Sequence, residues 1–356
     1  MTMHIGIVGC GNISDIYLTN LARLPGVAVT AVADIDPEAA RAKGARHGVP
    51  ALPVDALLAR DDVDTVLNLT IPAAHAAVSL AALEAGKHVY TEKPLATSVE
   101  DGVRILELAE ARGLRVGAAP DTILGAGVET AAELIRSGVV GEIVTGTATV
   151  LGRGMEHWHP NPGFFFQPGG GPVLDMGPYY VAALVTLLGP VRTVRATARI
   201  GRRERLVTAE GPMKGRTVAV EVPTSVNAVY TFDSGAHVTF LASWDVWAHS
   251  HVPIELHGTA ASLRVPDPNF FGGIVQVADE GGAWRDIDTA SKPYGRPNWP
   301  AEDPTRANWR GLGLADMAAA IAEGRPHRAN GALALHTLRV MMATLQAAET
   351  DRVIAL

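Results

Sequence analysis

The chain has a single cysteine, Cys10, so no intrachain disulfide can form and nothing points to an oxidising compartment. It lacks long apolar runs: Val181–Leu188 falls well short of the roughly 20 residues a membrane-spanning helix needs. It also lacks excess positive charge. A formal net charge of −7 excludes nucleic acid or an anionic membrane as the expected partner, and Arg202, Arg203 and Arg205 make only a short local cluster. No signal-peptide pattern precedes the first strand, which begins at His4, so a cytoplasmic location is expected. The 12 histidines show no HExxH-type spacing, and no metal is expected. No internal repeat or low-complexity segment stands out. What remains is an ordinary globular composition, 47% hydrophobic and 19% charged, over 356 residues, enough for two domains with large cores.

The N-terminal part reads as alternating strands and helices. A β-rich run, His4–Val8, leads directly into Gly9-Cys10-Gly11-Asn12-Ile13-Ser14. A helix follows to about Leu24, with Ile13, Ile16, Tyr17, Leu21 and Leu24 at helical spacing, and Pro25-Gly26 stops it. The next strand, Val27–Ala33, ends in Asp34. Strand, glycine turn, helix, strand and acid in that order form the dinucleotide-binding unit. The glycines let the backbone approach a pyrophosphate, and the helix N-terminus stabilises its charge. Ser14 stands where a third glycine is usual and is small enough to serve. Asp34 is the candidate for the adenosine ribose hydroxyls. Its charge would repel a 2′-phosphate, and no arginine follows in Ile35-Asp36-Pro37, so NAD is expected over NADP. Asp36 and Pro37 read as N-cap and first helical residue.

A buried-looking strand, Asp64–Ile71, ends at Pro72, so Thr70, Pro72 and the following His75 join Gly9, Gly11, Asn12, Ile13 and Asp34 as candidate cofactor-binding residues. For His75 a helix-surface role is the alternative. The strand His88–Thr91 then delivers Glu92-Lys93-Pro94, with Glu92 and Lys93 in the same candidate set. Chemistry collects at the carboxyl ends of strands in an open α/β sheet, and Pro94 restricts Lys93 to an extended backbone. By themselves these residues also fit a solvated strand-end turn. Thr97-Ser98-Val99-Glu100 has the capping-box pattern for a helix ending at Gly113, and Arg115–Ala119 closes a domain spanning 1–120.

The pattern changes in the second domain, 121–356. Ile143–Leu151, Val191–Ile200, Thr217–Val222, Ala228–Phe232, Ala236–Ser243, Pro253–His257 and Ala261–Val265 have strand composition, and Asp233-Ser234-Gly235 reads as a hairpin turn. The expected fold is therefore an α/β domain followed by an α+β domain with a large, mainly antiparallel open sheet. A sheet covered on one face leaves the other for a partner subunit, so a homo-oligomer, dimer or tetramer, is expected. His157, Trp158, His159 and Asn161, in a loop after the first of these strands, and Tyr180 further on are candidate substrate contacts; a plain loop hydrogen bond is the alternative for either histidine. With Phe164 and the glycines at 169–171, Trp158 and Asn161 suit a wall for sugar C–H faces. Pro178 is expected to open a helix, Tyr179–Leu188, with Asp175 and Tyr179 on one face; Asp175 as a mere cap and Tyr179 as packing is the alternative. Residues 285–305 read as a covering loop, Arg310 as a further candidate facing substrate, and the last helices, to about Ile321 and over 332–348, as packing back toward the first domain.

Together, Gly9-Cys10-Gly11, Glu92-Lys93-Pro94 and Gly169-Gly170-Gly171 followed by Asp175-Met176-Gly177-Pro178-Tyr179 resemble the Gfo/Idh/MocA oxidoreductases over nearly the whole chain. The resemblance implies a Rossmann domain, NAD(P) bound between it and the open-sheet domain, and oxidation or reduction of one carbon of a sugar, sugar derivative or cyclitol. Carried over by motif, Lys93 is the active-site lysine, Asp175 its carboxylate partner, and Tyr179 stands where many members have a histidine. That departs from the inositol dehydrogenase pattern and looks more like the glucose–fructose oxidoreductase and dihydrodiol dehydrogenase branches. A phenol ionises too high for base catalysis at neutral pH, and a nearby ammonium favours the phenolate, which gives Lys93 a purpose. Tyr180, His157 and His159 are rival proton carriers. The competing functions are redox-neutral, NAD-dependent glycoside cleavage and a non-catalytic NAD- or sugar-sensing regulator.

Overall fold

The structure, a computed structural model, describes residues 2–356. Contacts divide the chain into two units: residues up to Gly125 with Arg296–Leu338, and Ala126–Gly295 with Arg339–Leu356. Where the sequence places one boundary, near 120, the chain thus divides at 125, 295 and 338.

The first unit is built on six parallel strands: β1 (Met3–Val8), β2 (Val27–Ala33), β3 (Ala51–Leu52), β4 (Thr65–Asn68), β5 (His88–Thr91) and β6 (Val116–Ala118). Their spatial order is β3-β2-β1-β4-β5-β6, the dinucleotide-binding order with its switch point between β1 and β4. Crossovers run through α1 (Ser14–Leu21), α2 (Pro37–His47), α3 (Val54–Leu58), α4 (Pro72–Glu84) and α5 (Val99–Ala111). Apolar runs such as Ile5, Ile7, Val66, Leu67, Val89 and Tyr90 are buried because helices cover both sheet faces. The α2 cap is as expected: the Asp36 carboxylate accepts from the Glu38 N–H at 2.9 Å, with Pro37 at the helix start. The α5 cap is displaced by one residue, because Ser98 accepts from Asp101 N–H at 3.1 Å. Ser98 and Asp101, not Thr97 and Glu100, form that box.

The second unit begins with α6 (Ala126–Arg136) and β7 (Ile143–Leu151), then α7 (Pro172–Leu188) and β8 (Val191–Arg199). Two short strands, β9 (Glu204–Leu206) and β10 (Thr217–Ala219), pair only with each other, so Thr217–Val222 is not part of the large sheet. The large sheet continues through β11 (Ser225–Phe232), β12 (His237–Ser243), β13 (Ile254–Gly258), β14 (Ser262–Val265), β15 (Val275–Ala278) and β16 (Arg285–Ile287). In the first unit α8 (Leu312–Glu323) follows; α9 (Gly331–Thr350) and β17 (Ile354–Ala355) complete the chain. Nine strands in the order β16-β15-β14-β13-β7-β12-β11-β8-β17 make the sheet, antiparallel except for the β7–β12 pair. The helices α6 and α7 pack on one face. Tyr230 and Phe240 stack on that side, fully buried, with ring centroids 5.5 Å apart.

The helix α7 corrects one expectation. It starts at Pro172, after Gly171 at φ 90°, and Pro178 lies inside it. Gly171-Pro172 carries the same start signal as Gly177-Pro178, six residues earlier in the chain. Asp175 is therefore in the first helical turn and not the cap.

Candidate active site

In the first unit the carboxyl ends of β1, β2, β4 and β5 meet at one edge of the sheet. Gly9 has φ 108°, and a Cβ there would sit 2.5 Å from the Leu69 carbonyl, so only glycine fits. Gly11 is different: nothing lies within 4 Å of where its Cβ would be. The chain thus turns tightly at one glycine and leaves open space at the other, beside the start of α1. Ser14, fully buried, donates its hydroxyl to the Gly11 carbonyl at 2.6 Å and secures the turn from the helix side. Asn12 is exposed, and Ile13 is partly so.

Asp34 is brought to this turn. Its Oδ2 accepts from the Cys10 N–H at 2.7 Å and its Oδ1 from the Asp36 N–H at 2.9 Å. Each carboxylate oxygen keeps a second lone pair, so the group can still accept from ribose hydroxyls. Ile35 is 96% and Ile71 70% exposed, two large apolar side chains at the ends of β2 and β4 that face solvent. A cavity of about 320 Å³ at the end of β2 is lined by Asp34, Ile35, Pro37, Arg41, Leu52 and Pro53. The Cys10 thiol is pushed up to about 11, first by burial and then by the Asp34 carboxylate, so it stays neutral and is no nucleophile. A glycine turn without side-chain obstruction, a helix start and a carboxylate on the turn fit a dinucleotide.

Lys93 follows β5 on a turn that is held from beneath. Glu92 is buried; its Oε1 accepts from the Tyr17 hydroxyl at 2.7 Å and its Oε2 from the Lys93 N–H at 2.8 Å. Burial, reinforced by Glu92, keeps the Tyr17 phenol well above its usual range, so it remains a donor. Glu92, expected to touch cofactor, here ties the lysine's turn to α1. His75 does the same from the other side. It is buried, with Nδ1 2.6 Å from the Pro94 carbonyl and Nε2 3.0 Å from the Thr70 carbonyl. Both ring nitrogens face carbonyls of the chain itself, and the helix-surface alternative fails because the ring is buried. The Thr70 hydroxyl donates to Asn68 Oδ1 at 2.7 Å, which fixes the end of β4. Lys93 itself is half-buried.

In the second unit Asp175 and Tyr179 lie one turn apart on α7, Asp175 partly exposed and Tyr179 buried. Tyr180 points elsewhere: it is buried over Phe240 of the sheet, and its hydroxyl donates to Asp267 Oδ1 at 3.4 Å. Burial and the Asp267 carboxylate push its phenol well up. Tyr180 is packed as a core residue, and a substrate contact does not fit it. The loop after β7 holds His157 and Asn161, both exposed, and Trp158, 56% exposed. His159 meets Trp158, Phe164 and Phe165 edge-on, with ring centroids 5.3–5.4 Å apart, and its Nδ1 accepts from the Asn161 N–H at 3.1 Å. Phe164 is 58% exposed, so aromatic surface is on offer beside the histidines.

Sequence reasoning missed what supports this loop. Arg205 is buried and donates to Glu156 Oε1 at 2.8 Å, to the Arg153 carbonyl at 2.9 Å and to Asp245 Oδ1 at 2.6 Å. Phe166, Val207, Val220 and Trp244 form a small core beside it. The only sequence signal was the short arginine cluster. Arg310, a candidate substrate contact, is buried in the first unit and donates to Asn308, while its carbonyl accepts from Asn20 at 3.0 Å. It locks the chain locally instead. Among the described residues no group of three or more His, Cys, Asp or Glu side chains could hold a metal ion. None of their helices is long and apolar enough to cross a membrane.

The fold and the glycine turn define a dinucleotide-binding protein. Residues 3–119 match the oxidoreductase family with an NAD-binding Rossmann fold, and residues 128–264 match the GFO/IDH/MocA C-terminal domain. A dTDP-3,4-didehydro-2,6-dideoxy-alpha-D-glucose 3-reductase from Streptomyces violaceoruber is 32% identical over 247 residues, 68% of this chain and 69% of that protein. The chain belongs to the Gfo/Idh/MocA oxidoreductase family. An inositol 2-dehydrogenase from Saccharopolyspora erythraea is 42% identical over 118 residues, but the match spans only 33% of this chain and 35% of that enzyme. A levoglucosan dehydrogenase solved with NADH and levoglucosan shares the fold, with a TM-score of 0.84 at 22% identity over 100% of this chain and 99% of that one.

Proposed function

We propose that this protein is an NAD-dependent oxidoreductase acting on a hydroxyl-bearing carbon of a sugar, sugar derivative or cyclitol. The observation that carries the reading is the Gly9–Gly11 turn with Asp34 bonded to it, on the same sheet edge as a Lys93 turn braced by Tyr17 and His75. The reduction of a nucleotide-linked keto sugar and the oxidation of inositol and levoglucosan, named for the relatives, agree with it.

Gly9, Gly11, Asn12 and Ile13 would hold the pyrophosphate, and Asp34 the ribose hydroxyls. When bound, NAD supplies the hydride acceptor. Tyr179 takes the proton from the substrate hydroxyl, and in the reducing direction returns it. The Lys93 ammonium stabilises negative charge developing on that oxygen. Asp175 orients the hydroxyl or the ammonium, and His157, Trp158, His159 and Asn161 hold the rest of the sugar. The Tyr17–Glu92 bond and the His75 bridge fix the backbone that aims Lys93.

NAD is preferred over NADP because a 2′-phosphate would meet the Asp34 charge, and Arg41, the arginine lining that cavity, is paired with Glu38. Binding titrations with each cofactor test this. NAD binds at least about tenfold tighter, and Asp34→Ser closes the gap; equal affinities for the unaltered protein would refute the assignment.

The sheet of the second unit supports a homo-oligomer, dimer or tetramer. Opposite α6 and α7 it exposes Thr145, Thr147, Asn227, Val229 and Thr239, an uncovered polar face with a shallow cavity of about 330 Å³. Sedimentation at micromolar concentration gives the mass, and a monomer would overturn this part.

A further inference from the structure

Three loops of the second unit leave the ends of β7, β8 and β12 and bring Arg153, Arg202 and Trp247 together. Trp247 is 67% exposed, unusual for so large an apolar side chain. The Arg153 guanidinium lies 4.5 Å and the Arg202 guanidinium 5.4 Å from the centre of its ring. Both arginines are exposed, and neither has an ion-pair partner among the described residues. The reason lies one layer down. The two carboxylates these loops carry, Glu156 and Asp245, are both taken by buried Arg205. Arg153 and Arg202 stay exposed on the Trp247 ring, with Arg203 and Glu204 also exposed next in the chain, whose formal net charge is −7.

This cluster adjoins the candidate substrate loop. The Val246 N–H donates to the Gly152 carbonyl at 2.9 Å, and Arg205 ties the Arg153 carbonyl to the Glu156 side chain, next to His157. Trp244 meets Phe165, which meets His159, so the two loops share one small core. An indole holding two guanidinium groups reduces the freedom they lose on binding, and guanidinium groups suit planar, two-point contact with carboxylate or phosphate oxygens.

We propose that Arg153 and Arg202, organised by Trp247, bind a carboxylate or phosphate group on the sugar. The substrate class is thereby narrowed to anionic sugar derivatives: sugar acids, sugar phosphates or nucleotide-linked sugars. Arg205 is a positioning residue, because it neutralises the acids of the same loops and fixes the backbone of Arg153. The proposal rests on the sugar-oxidoreductase reading above, but binding can be measured without turnover.

The test uses the NAD-loaded full chain and calorimetric titration with D-glucuronate, D-glucose 6-phosphate and neutral D-glucose. At least one anionic probe is expected to bind about tenfold or more tightly than glucose, with affinity falling as salt rises. Arg153→Gln/Arg202→Gln removes that advantage, and Trp247→Ala reduces it by a smaller factor. Unchanged NAD affinity and melting temperature show that the variants fold. Anionic probes that bind no better than glucose overturn the proposal, as does an advantage that survives the double arginine variant. A double variant that changes the oligomer mass but not probe affinity also overturns it and gives the patch to a second copy of the chain. Binding without reduction of NAD would leave this site standing and count against the dehydrogenase reading.

Discussion

The Tyr17 hydroxyl donates to Glu92 Oε1 at 2.7 Å, and through it helix α1, which starts at the glycine turn, is joined to the turn that presents Lys93. One buried hydrogen bond thus connects the two motifs on which the proposed chemistry depends.

Replacing Tyr17 by Phe leaves the Glu92 carboxylate buried with one donor fewer. A buried acceptor that loses its partner costs about 1–3 kcal/mol, and denaturant melts should show a loss of that size. Turnover should fall while NAD affinity holds, because the lysine turn loosens and the glycine turn does not. Unchanged stability would mean that Glu92 finds another donor.

The two glycines of the turn should respond differently. Gly9→Ala places a Cβ against the Leu69 carbonyl at a backbone angle that alanine adopts only with strain, so the fold should lose at least about 1–3 kcal/mol. Gly11→Ala meets no protein atom, so its melting temperature should be unchanged while NAD affinity drops by about tenfold or more. Equal affinity for NAD in Gly11→Ala would place the pyrophosphate elsewhere.

Asp121 should give the first unit a pH dependence. It is fully buried, and burial raises its carboxyl from 3.8 to about 6; nearby Glu92 adds to the rise, while Arg310 and the Gly311 and Gly313 N–H donors to Oδ2 oppose it. Between about pH 4 and pH 6 the folded chain holds a proton that the unfolded chain has released. Stability from this group is therefore full below about pH 4 and is lost as pH rises through 6, a change of about 3 kcal/mol. Asp121→Asn keeps an oxygen for the two N–H groups and should flatten that part of the profile. A profile unchanged by the substitution would show that another group titrates there.

Tyr179 and Tyr180 are adjacent in sequence but should separate in function. Tyr179→Phe should reduce kcat by about 10²–10⁴-fold, the usual range for a lost general acid–base group. Tyr180→Phe removes only a long contact to Asp267 in the core and should leave kcat near its original value, with a small change in stability. The reverse result would move the proton carrier to Tyr180.

Where local chemistry dictates local shape, the sequence was readable. Gly9, the Asp36-Pro37 helix start and the Asp233-Ser234-Gly235 hairpin each require a particular backbone, and each is where it was expected. The start of α7 was misplaced because two Gly-Pro pairs carry the same signal and only packing chooses between them. For His75 and Glu92 the location was legible but not the partners, Pro94, Thr70 and Tyr17, which are set by tertiary structure. That residues 296–338, and not all of the last helices, join the first unit had no local signal. It depends on bonds such as Asn20 to the Asn308 carbonyl at 2.9 Å and Asp121 to the Gly311 N–H at 2.8 Å, between residues far apart in the chain.

The most direct test of the dehydrogenase reading is absorbance at 340 nm, with NAD and separately NADP, over a panel of sugars, sugar acids, sugar phosphates, cyclitols and glycosides. NADH should accumulate with at least one sugar or cyclitol derivative, with little signal from NADP and loss of the signal in Lys93→Met. Cleavage of a glycoside without net NADH, or tight NAD binding with no turnover across the panel, would contradict it.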